Sequence, residues 1–293
     1  MSARDAVVEG RFPVTDPVAR FDTTAFDLDA YLGRIGHPRA EPSAETLRSL
    51  HAAHVRAIPF ENIDVVLRRH RGIELTAIMD KLVRRNRGGY CYEHGLLFAA
   101  ALEELGFTVR RSFARVRPDR ASGSYTHMLV VVPVDGVEYL ADVGFGAWVL
   151  HPTPLIDGAE VDQAGWRHRI RREDGQWLFE KRAADGWDTL HATLGLPARQ
   201  VDYEVFHHYT STHPRSPFTG QLVVMRLAEG MGRKFVGRRL VTEYADGRLE
   251  TIEITADRLA DTLHALDVEL TSAELSAVHE FYESTKDARL EQL

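Results

Sequence analysis

Only one of the 293 residues, Cys91, is a cysteine. A single thiol excludes an intrachain disulfide framework and a multi-cysteine metal site, and it suits a reducing compartment. Basic charge is not in excess either: 36 Lys and Arg stand against 43 Asp and Glu, a formal net charge of −7. A chain-wide basic footprint for nucleic acid is therefore missing, and an anionic ligand would have to be held by a local pocket. No run reaches the ~18 apolar residues of a membrane span. Met1 to Pro17 mixes Arg, Asp and Glu and lacks the apolar core of a secretory signal, so the cytoplasm is the expected location. Internal repeats and low-complexity segments are absent.

What is present is the composition of a soluble globular protein, 44% hydrophobic and 27% charged, with enough length for two domains or three small ones. The first part patterns as helices. One starts near Asp27, carries Leu28, Tyr31, Leu32 and Ile35, and stops at Gly36-His37-Pro38. A second opens at Ser43 with Leu47, Leu50, His54 and Val55 on one face, and ends before Pro59. A third is expected from Thr76 as N-cap through Ile78, Leu82 and Val83. After the turn signal Asn86-Arg87-Gly88-Gly89, Leu97, Ala101 and Leu105 recur every four residues, with Gly106 placed to cap the end. Cys91 thus falls on the first turn of a helix.

From Phe107 the period becomes that of strands: 107–117, 126–134 and 137–143, the last two joined by Asp135-Gly136, a strong hairpin signal. Asp174-Gly175 and Asp185-Gly186 continue a meander over 166–172, 176–182 and 187–192. This central region reads as an antiparallel sheet or barrel. Strands are expected again at 221–228, 235–244 and 248–254, and helices at 256–266 and 271–285, where Thr271 and Glu274 form a capping box. Residues 1–25 read as a loosely ordered lead-in.

A lone cysteine is usually a small buried hydrophobe. The position of Cys91 argues otherwise. The start of a helix aims N–H groups and the positive dipole end at the side chain, which favours thiolate and could stabilise an oxyanion. Gly88-Gly89 lets the backbone bend tightly into that helix and leaves room for a substrate. A thiolate nucleophile works best with an imidazole oriented by a carboxylate or amide. With a two-residue turn at Asp135-Gly136, positions across the hairpin pair when their numbers sum to about 271. His127 then faces Val143 or Gly144, which puts Asp142 within side-chain reach. From the pattern alone this is a triad, or else a histidine filling a sheet face beside an aspartate that ends a strand.

Arg87-Gly88-Gly89-Tyr90-Cys91-Tyr92-Glu93 resembles the signature of the arylamine N-acetyltransferases. Other segments are similar in the family's order: Leu50 to His54 and Ile58-Pro59-Phe60-Glu61-Asn62, Thr126-His127, Asp142-Val143-Gly144-Phe145-Gly146, and Ser211–Thr219 with Ser216-Pro217-Phe218. The resemblance runs from about residue 25 to the end. It implies an α+β fold with a three-part, cysteine-protease-like architecture: a helical bundle over 1–106, an antiparallel β-barrel over 107–215 and an α/β lid over 216–293. It implies a Cys91–His127–Asp142 triad, acetyl-CoA as donor substrate with no permanently bound cofactor, and ping-pong transfer to an arylamine, arylhydrazine or N-arylhydroxylamine. Arg87 matches a signature arginine that pairs with a carboxylate, for which Glu61 is the candidate. Phe145 matches an aromatic of the acceptor pocket, and ordinary core packing accounts for it equally well. Thr126, Gly144 and Phe218 are candidates to border the CoA channel. Ala147 and Val149 are small and apolar where some members carry Arg and Tyr, which leaves acceptor preference open.

No metal site is expected: His51 and His54 sit three apart and His207-His208 are adjacent, but no third ligand falls in register with either pair. Arg110, Arg111, Arg115, Arg117 and Arg120 read as a solvated strand face rather than a phosphate site. Partners are small molecules, with no nucleic acid and no membrane; oligomeric state is not encoded in any pattern. The alternatives are an amide synthase of the same family, closing macrolactams, a cysteine hydrolase or transglutaminase-like enzyme with the same triad, and a non-enzymatic binding module, which the ordered motifs disfavour.

Overall fold

The computed structural model describes residues 21–120 and 123–285, so most of the expected lead-in lies outside the described residues. Helix α1 (Leu28–Ile35) starts where the Asp27 carboxylate accepts the Ala30 N–H, and ends at Gly36 in the left-handed region. Ser43 caps α2 (Ala44–Ala57) in the same way, through the Thr46 N–H. The chain then forms the short strand β1 (Phe60–Glu61) and one turn, α3 (Ile63–Val66). Helix α4 (Leu75–Ile78) runs on as a π-helical stretch over Met79–Arg84. Thr76 is therefore not its N-cap; the helix begins one residue earlier, after an extended Glu74. Burial sets that phase, because Ile78, Met79 and Leu82 are all fully buried.

Helix α5 (Cys91–Glu104) is buried at every position from Cys91 to Leu102, the polar Glu93 and His94 of its first turns included. The helical core closes around it through Tyr31, Leu47, Leu50, Ile78 and Leu82.

An antiparallel eight-stranded sheet follows: β2 (Arg110–Val116), β3 (Tyr125–Val134), β4 (Val137–Ala141), β5 (Thr153–Pro154), β6 (Glu160–Gln163), β7 (Trp166–Glu173), β8 (Gln176–Ala183) and β9 (Gly186–Thr193). Its order is β5-β4-β3-β2-β9-β8-β7-β6. The edge after β5 comes back to β7, where Gly158 N–H donates to Ile170 O (2.9 Å) and Ile170 N–H to Ala159 O (2.9 Å), so the sheet is nearly closed into a barrel. Asp135 and Gly136 both take positive φ (51° and 76°), the requirement of a type I′ turn. Val130 then faces Ala141, the register that a two-residue turn predicts.

Helix α6 (Gln200–Thr212) was not expected from the sequence. It buries only Tyr203 and Thr210, too few for a clear apolar stripe. A second sheet follows: β10 (Val223–Ala228), β11 (Met231–Val236), β12 (Arg239–Tyr244) and β13 (Leu249–Glu253), with β1 paired on β10 at its other edge. The single strand expected over 235–244 is two strands, turned at Gly237, whose φ is 59° and whose N–H donates to Leu222 O. The helix expected over 256–266 is a 3₁₀ turn at Ala256–Arg258 leading into α7 (Leu259–Ala265). Helix α8 (Ser272–Ser284) carries the Thr271–Glu274 capping box. Val224, Phe235, Leu263 and Tyr282 form the core of this third part. Helical bundle, antiparallel barrel and C-terminal α/β part make up an α+β fold.

Candidate active site

Cys91 is the first residue of α5, 5% exposed. The preceding turn is held by Glu61 N–H donating to Gly89 O (2.8 Å) and Gly89 N–H to Pro59 O (3.3 Å). Gly88 lies so close to Pro59 O that a Cβ would collide with it. Glu93, two residues beyond Cys91, reaches back to accept the Tyr90 N–H (3.1 Å), fixing the turn that presents the thiol.

His127 on β3 and Asp142, one residue past β4, meet across the Asp135-Gly136 hairpin. His127 Nε2 lies 2.7 Å from Asp142 Oδ2. A carboxylate only accepts, so Nε2 carries the proton and Nδ1 is left for the sulfur. Cys91 lies close enough to act on the charge of His127, and its Sγ is 3.9 Å from the carbonyl of the neighbouring Thr126. Burial disfavours the charged ring, but the adjacent Asp142 charge, its hydrogen bond and the contact with Cys91 outweigh it and raise His127 to about 10. Asp142 is buried too, and the imidazole of His127 nevertheless holds its carboxyl well below the usual carboxylate range. The Cys91, His127 and Asp142 expected as a triad thus lie in series.

The other expected residues surround this line. Thr126 O sits 3.9 Å from Cys91 Sγ and accepts from the Tyr92 hydroxyl at 2.8 Å. A Cβ on Gly144 would lie 2.9 Å from Cys91 Cα, so only glycine lets this backbone pack on the start of α5. The Phe145 ring stands edge-on to His127, centroids 4.9 Å apart. Phe218 touches Phe60 and Tyr90, both at 5.9 Å between centroids, and its carbonyl accepts from Asn62 Nδ2. Arg87 pairs with Glu61 at 2.8 Å.

That pair is part of a larger buried network. Arg87 also meets Asp64 (3.3 Å) and Glu274 of α8 (2.8 Å). Lys81 contacts Glu93 (3.0 Å), Asp64 (3.5 Å) and Glu61 (3.8 Å). Burial opposes the charges of Arg87 and Lys81, yet their carboxylate neighbours raise both above their ordinary values. Sequence reading missed Lys81, Asp64 and Glu93 as members, because charge pairing between separate elements leaves no periodic trace.

Five further histidines also have defined places. Pro59 O can only accept, so His94 Nε2 donates to it (3.2 Å) and His94 Nδ1 accepts. It follows that His54 Nε2 donates to His94 Nδ1 (2.9 Å) and the Tyr31 hydroxyl donates to His54 Nδ1 (2.9 Å). Burial keeps these rings neutral, lowering His94 to about 4 and His54 well below its ordinary value. His51 bonds Leu150 O instead (2.9 Å). His207 bonds the Tyr90 hydroxyl. His191, which sequence reading did not single out, lies 3.2 Å from Asp142 Oδ2.

Beside the site is a shallow cleft lined by Phe60, His94, Val143, Gly146, Trp148 and Met225 among others. It borders α5, the segment after Asp142 and strand β10.

Residues 43–274 match the family model described as N-acetyltransferase. The arylamine N-acetyltransferase of Mycolicibacterium smegmatis is 37% identical over 257 residues, 83% of this chain and 90% of that protein. Among solved structures, the Nocardia farcinica arylamine N-acetyltransferase superposes with a TM-score of 0.85 at 36% identity, covering 92% of this chain and 99% of that one. The Mycobacterium marinum arylamine N-acetyltransferase in complex with CoA superposes with a TM-score of 0.79 at 32% identity, covering 87% and 99%.

Proposed function

Because this chain belongs to the arylamine N-acetyltransferase family and is a transferase, we propose that it moves an acetyl group from acetyl-CoA to arylamines, arylhydrazines and N-arylhydroxylamines through an acetyl-Cys91 thioester. The observation that carries this reading is the line of Cys91, His127 and Asp142, with the 2.7 Å His127–Asp142 bond at its end. His127 takes the thiol proton, and sulfur attacks the thioester carbonyl of the donor. N–H groups at the start of α5 face the oxyanion. The C–S bond to CoA breaks, and CoA leaves with the proton from His127. The amine nitrogen then attacks the acetyl-Cys91 carbonyl, gives its proton to His127, and sulfur leaves. Thioester exchange is nearly isoenergetic, so the first half needs little driving energy. Asp142 orients the imidazole and stabilises its cation in both halves.

Thr126, Gly144 and Phe218 border the donor channel in this reading, and the CoA bound by the M. marinum relative supports a CoA donor. Phe145 and the apolar cleft wall suit a flat acceptor through stacking. Arg87 and Glu61 support the catalytic turn. The division at 106/107 and 215/216 belongs to the same proposal, with Glu274 tying the last part to Arg87. Among the described residues no helix is long and apolar enough to cross a membrane, and we place the reaction in the cytoplasm.

The test is release of free CoA thiol from acetyl-CoA, with and without an arylamine or a hydrazide. Release that depends on the acceptor supports the transferase. Fast release without acceptor identifies a hydrolase. No release with any CoA thioester, while Cys91 still alkylates rapidly, points to another acyl carrier, as an amide synthase would use.

A further inference from the structure

Asp142 is approached by two imidazoles, and the mechanism uses only one. His191, on β9, is fully buried. Its Nε2 lies 3.2 Å from Asp142 Oδ2 but out of hydrogen-bond alignment, and neither of its ring nitrogens has a hydrogen-bond partner. Asp142 Oδ1 has none either. Unpartnered buried polar atoms are costly, so a cluster of them calls for an explanation. Aromatic rings wall the cluster: Phe145 at 4.9 Å and Phe179 at 5.2 Å from the His191 ring.

One ligand atom each from His127, Asp142 and His191 lies within 4.8 Å of the other two. Two of these separations are 2.7 and 3.2 Å. A tetrahedral ion bound at ~2.0–2.1 Å holds its ligand atoms roughly 3.3 Å apart. Small side-chain shifts therefore suffice to seat an ion. Two imidazoles and a carboxylate with a position open for water suit Zn²⁺ and its first-row neighbours rather than Mg²⁺ or Ca²⁺.

We infer that His127, Asp142 and His191 form an inhibitory site for a divalent transition-metal ion of the Zn²⁺ class. The ion takes the place of the Nε2 proton of His127, which passes to solvent; no electron is transferred. His127 then loses its hydrogen bond to Asp142 and cannot carry the cation that the acyl-transfer cycle requires. That loss of turnover rests on the function proposed above, whereas binding of the ion does not.

The experiment separates the two. Co²⁺ and Zn²⁺ are titrated into full-length C91S, in which sulfur cannot be the ligand. The expected result is one equivalent bound, with visible Co²⁺ bands of a nitrogen- and oxygen-ligated ion and no sulfur charge-transfer band. H191F in the same background is expected to bind at least about tenfold more weakly, as loss of one ligand requires, with folding checked by its thermal transition. Zn²⁺ is expected to stop CoA release by the wild-type chain, and EDTA to restore it. Absence of binding to C91S overturns the proposal, as does equal binding with and without His191. The Co²⁺ spectrum of C91S decides the matter even if H191F does not fold. If C91S binds the ion and the wild-type chain shows no acyl transfer at all, the proposed function has failed and the metal site stands.

Discussion

Cys91→Ala removes little more than a sulfur atom from a site packed on all sides. The chain should fold normally and transfer nothing. CoA release above ~1% of wild type would contradict the nucleophile assignment, because members of a triad are strongly interdependent. Asp142→Asn tests the next link. The amide keeps the shape but loses the charge that raises His127 to about 10, so burial should then prevail and pull the imidazole far below that value, and kcat should fall by roughly 10³–10⁴. An NMR titration of His127 alongside kcat checks both. At this scale the chain was partly legible. The hairpin register placed Asp142 beside His127, since a two-residue turn dictates it. His191 was not legible, since it lies on β9, distant in sequence and two strands from His127, and meets Asp142 only through a sheet curvature that no local pattern encodes.

At the scale of elements, the segment after Asp142 is unusual. Gly146, Ala147 and Trp148 all take positive φ, at 79°, 45° and 65°. For the two non-glycine residues this costs about 1 kcal/mol or more each. Neighbouring strands supply what holds it. Glu243 of β12 accepts from Trp148 Nε1 (2.5 Å), Trp166 Nε1 (2.9 Å) and Lys181 Nζ (2.5 Å), and the His168 ring lies between Ala147 O (3.1 Å) and Trp166 O (3.2 Å). Glu243→Gln should lower stability by about 1–3 kcal/mol, read by urea denaturation. It should also slow transfer to the acceptor more than the initial burst of CoA release, since the turn lines the cleft; equal slowing of both steps would contradict this role. Arg87→Met is a second test between elements. It leaves Glu61, fully buried, without its closest cation, and should cost about 3–5 kcal/mol, measured in the same way. The helix starts were legible because caps are local: Asp27, Ser43 and Thr271 all act as expected. Helix α6 was not, since packing against the barrel rather than amphipathicity holds it in place.

Across the whole molecule, several histidines are folded in neutral. Burial lowers His51, His94 and His168 to about 4. In the unfolded chain they titrate near ~6.5. Between those values the unfolded state binds protons that the native state refuses, so stability should fall as pH drops through this window. His127 acts in the opposite sense. Its contribution is full below ~6.5 and is lost as pH rises through its folded value. The thermal midpoint should therefore decline on both sides of neutrality, and the acid decline should begin above the range where carboxylates such as Asp142 titrate. A flat midpoint from pH 7 to 5 would contradict the neutral histidines.

The sequence by itself determined the family, the caps at Asp27, Ser43 and Thr271, the hairpin turns and the seat of Cys91 on a helix start, because each depends on residues a few positions apart. Tertiary structure alone decided that β1 joins the C-terminal sheet, that Lys81 and Glu274 enter the ion network behind the catalytic turn, and that Asp142 faces a second imidazole. Those contacts join distant stretches of chain, and their partners are selected by burial and charge once the parts have packed.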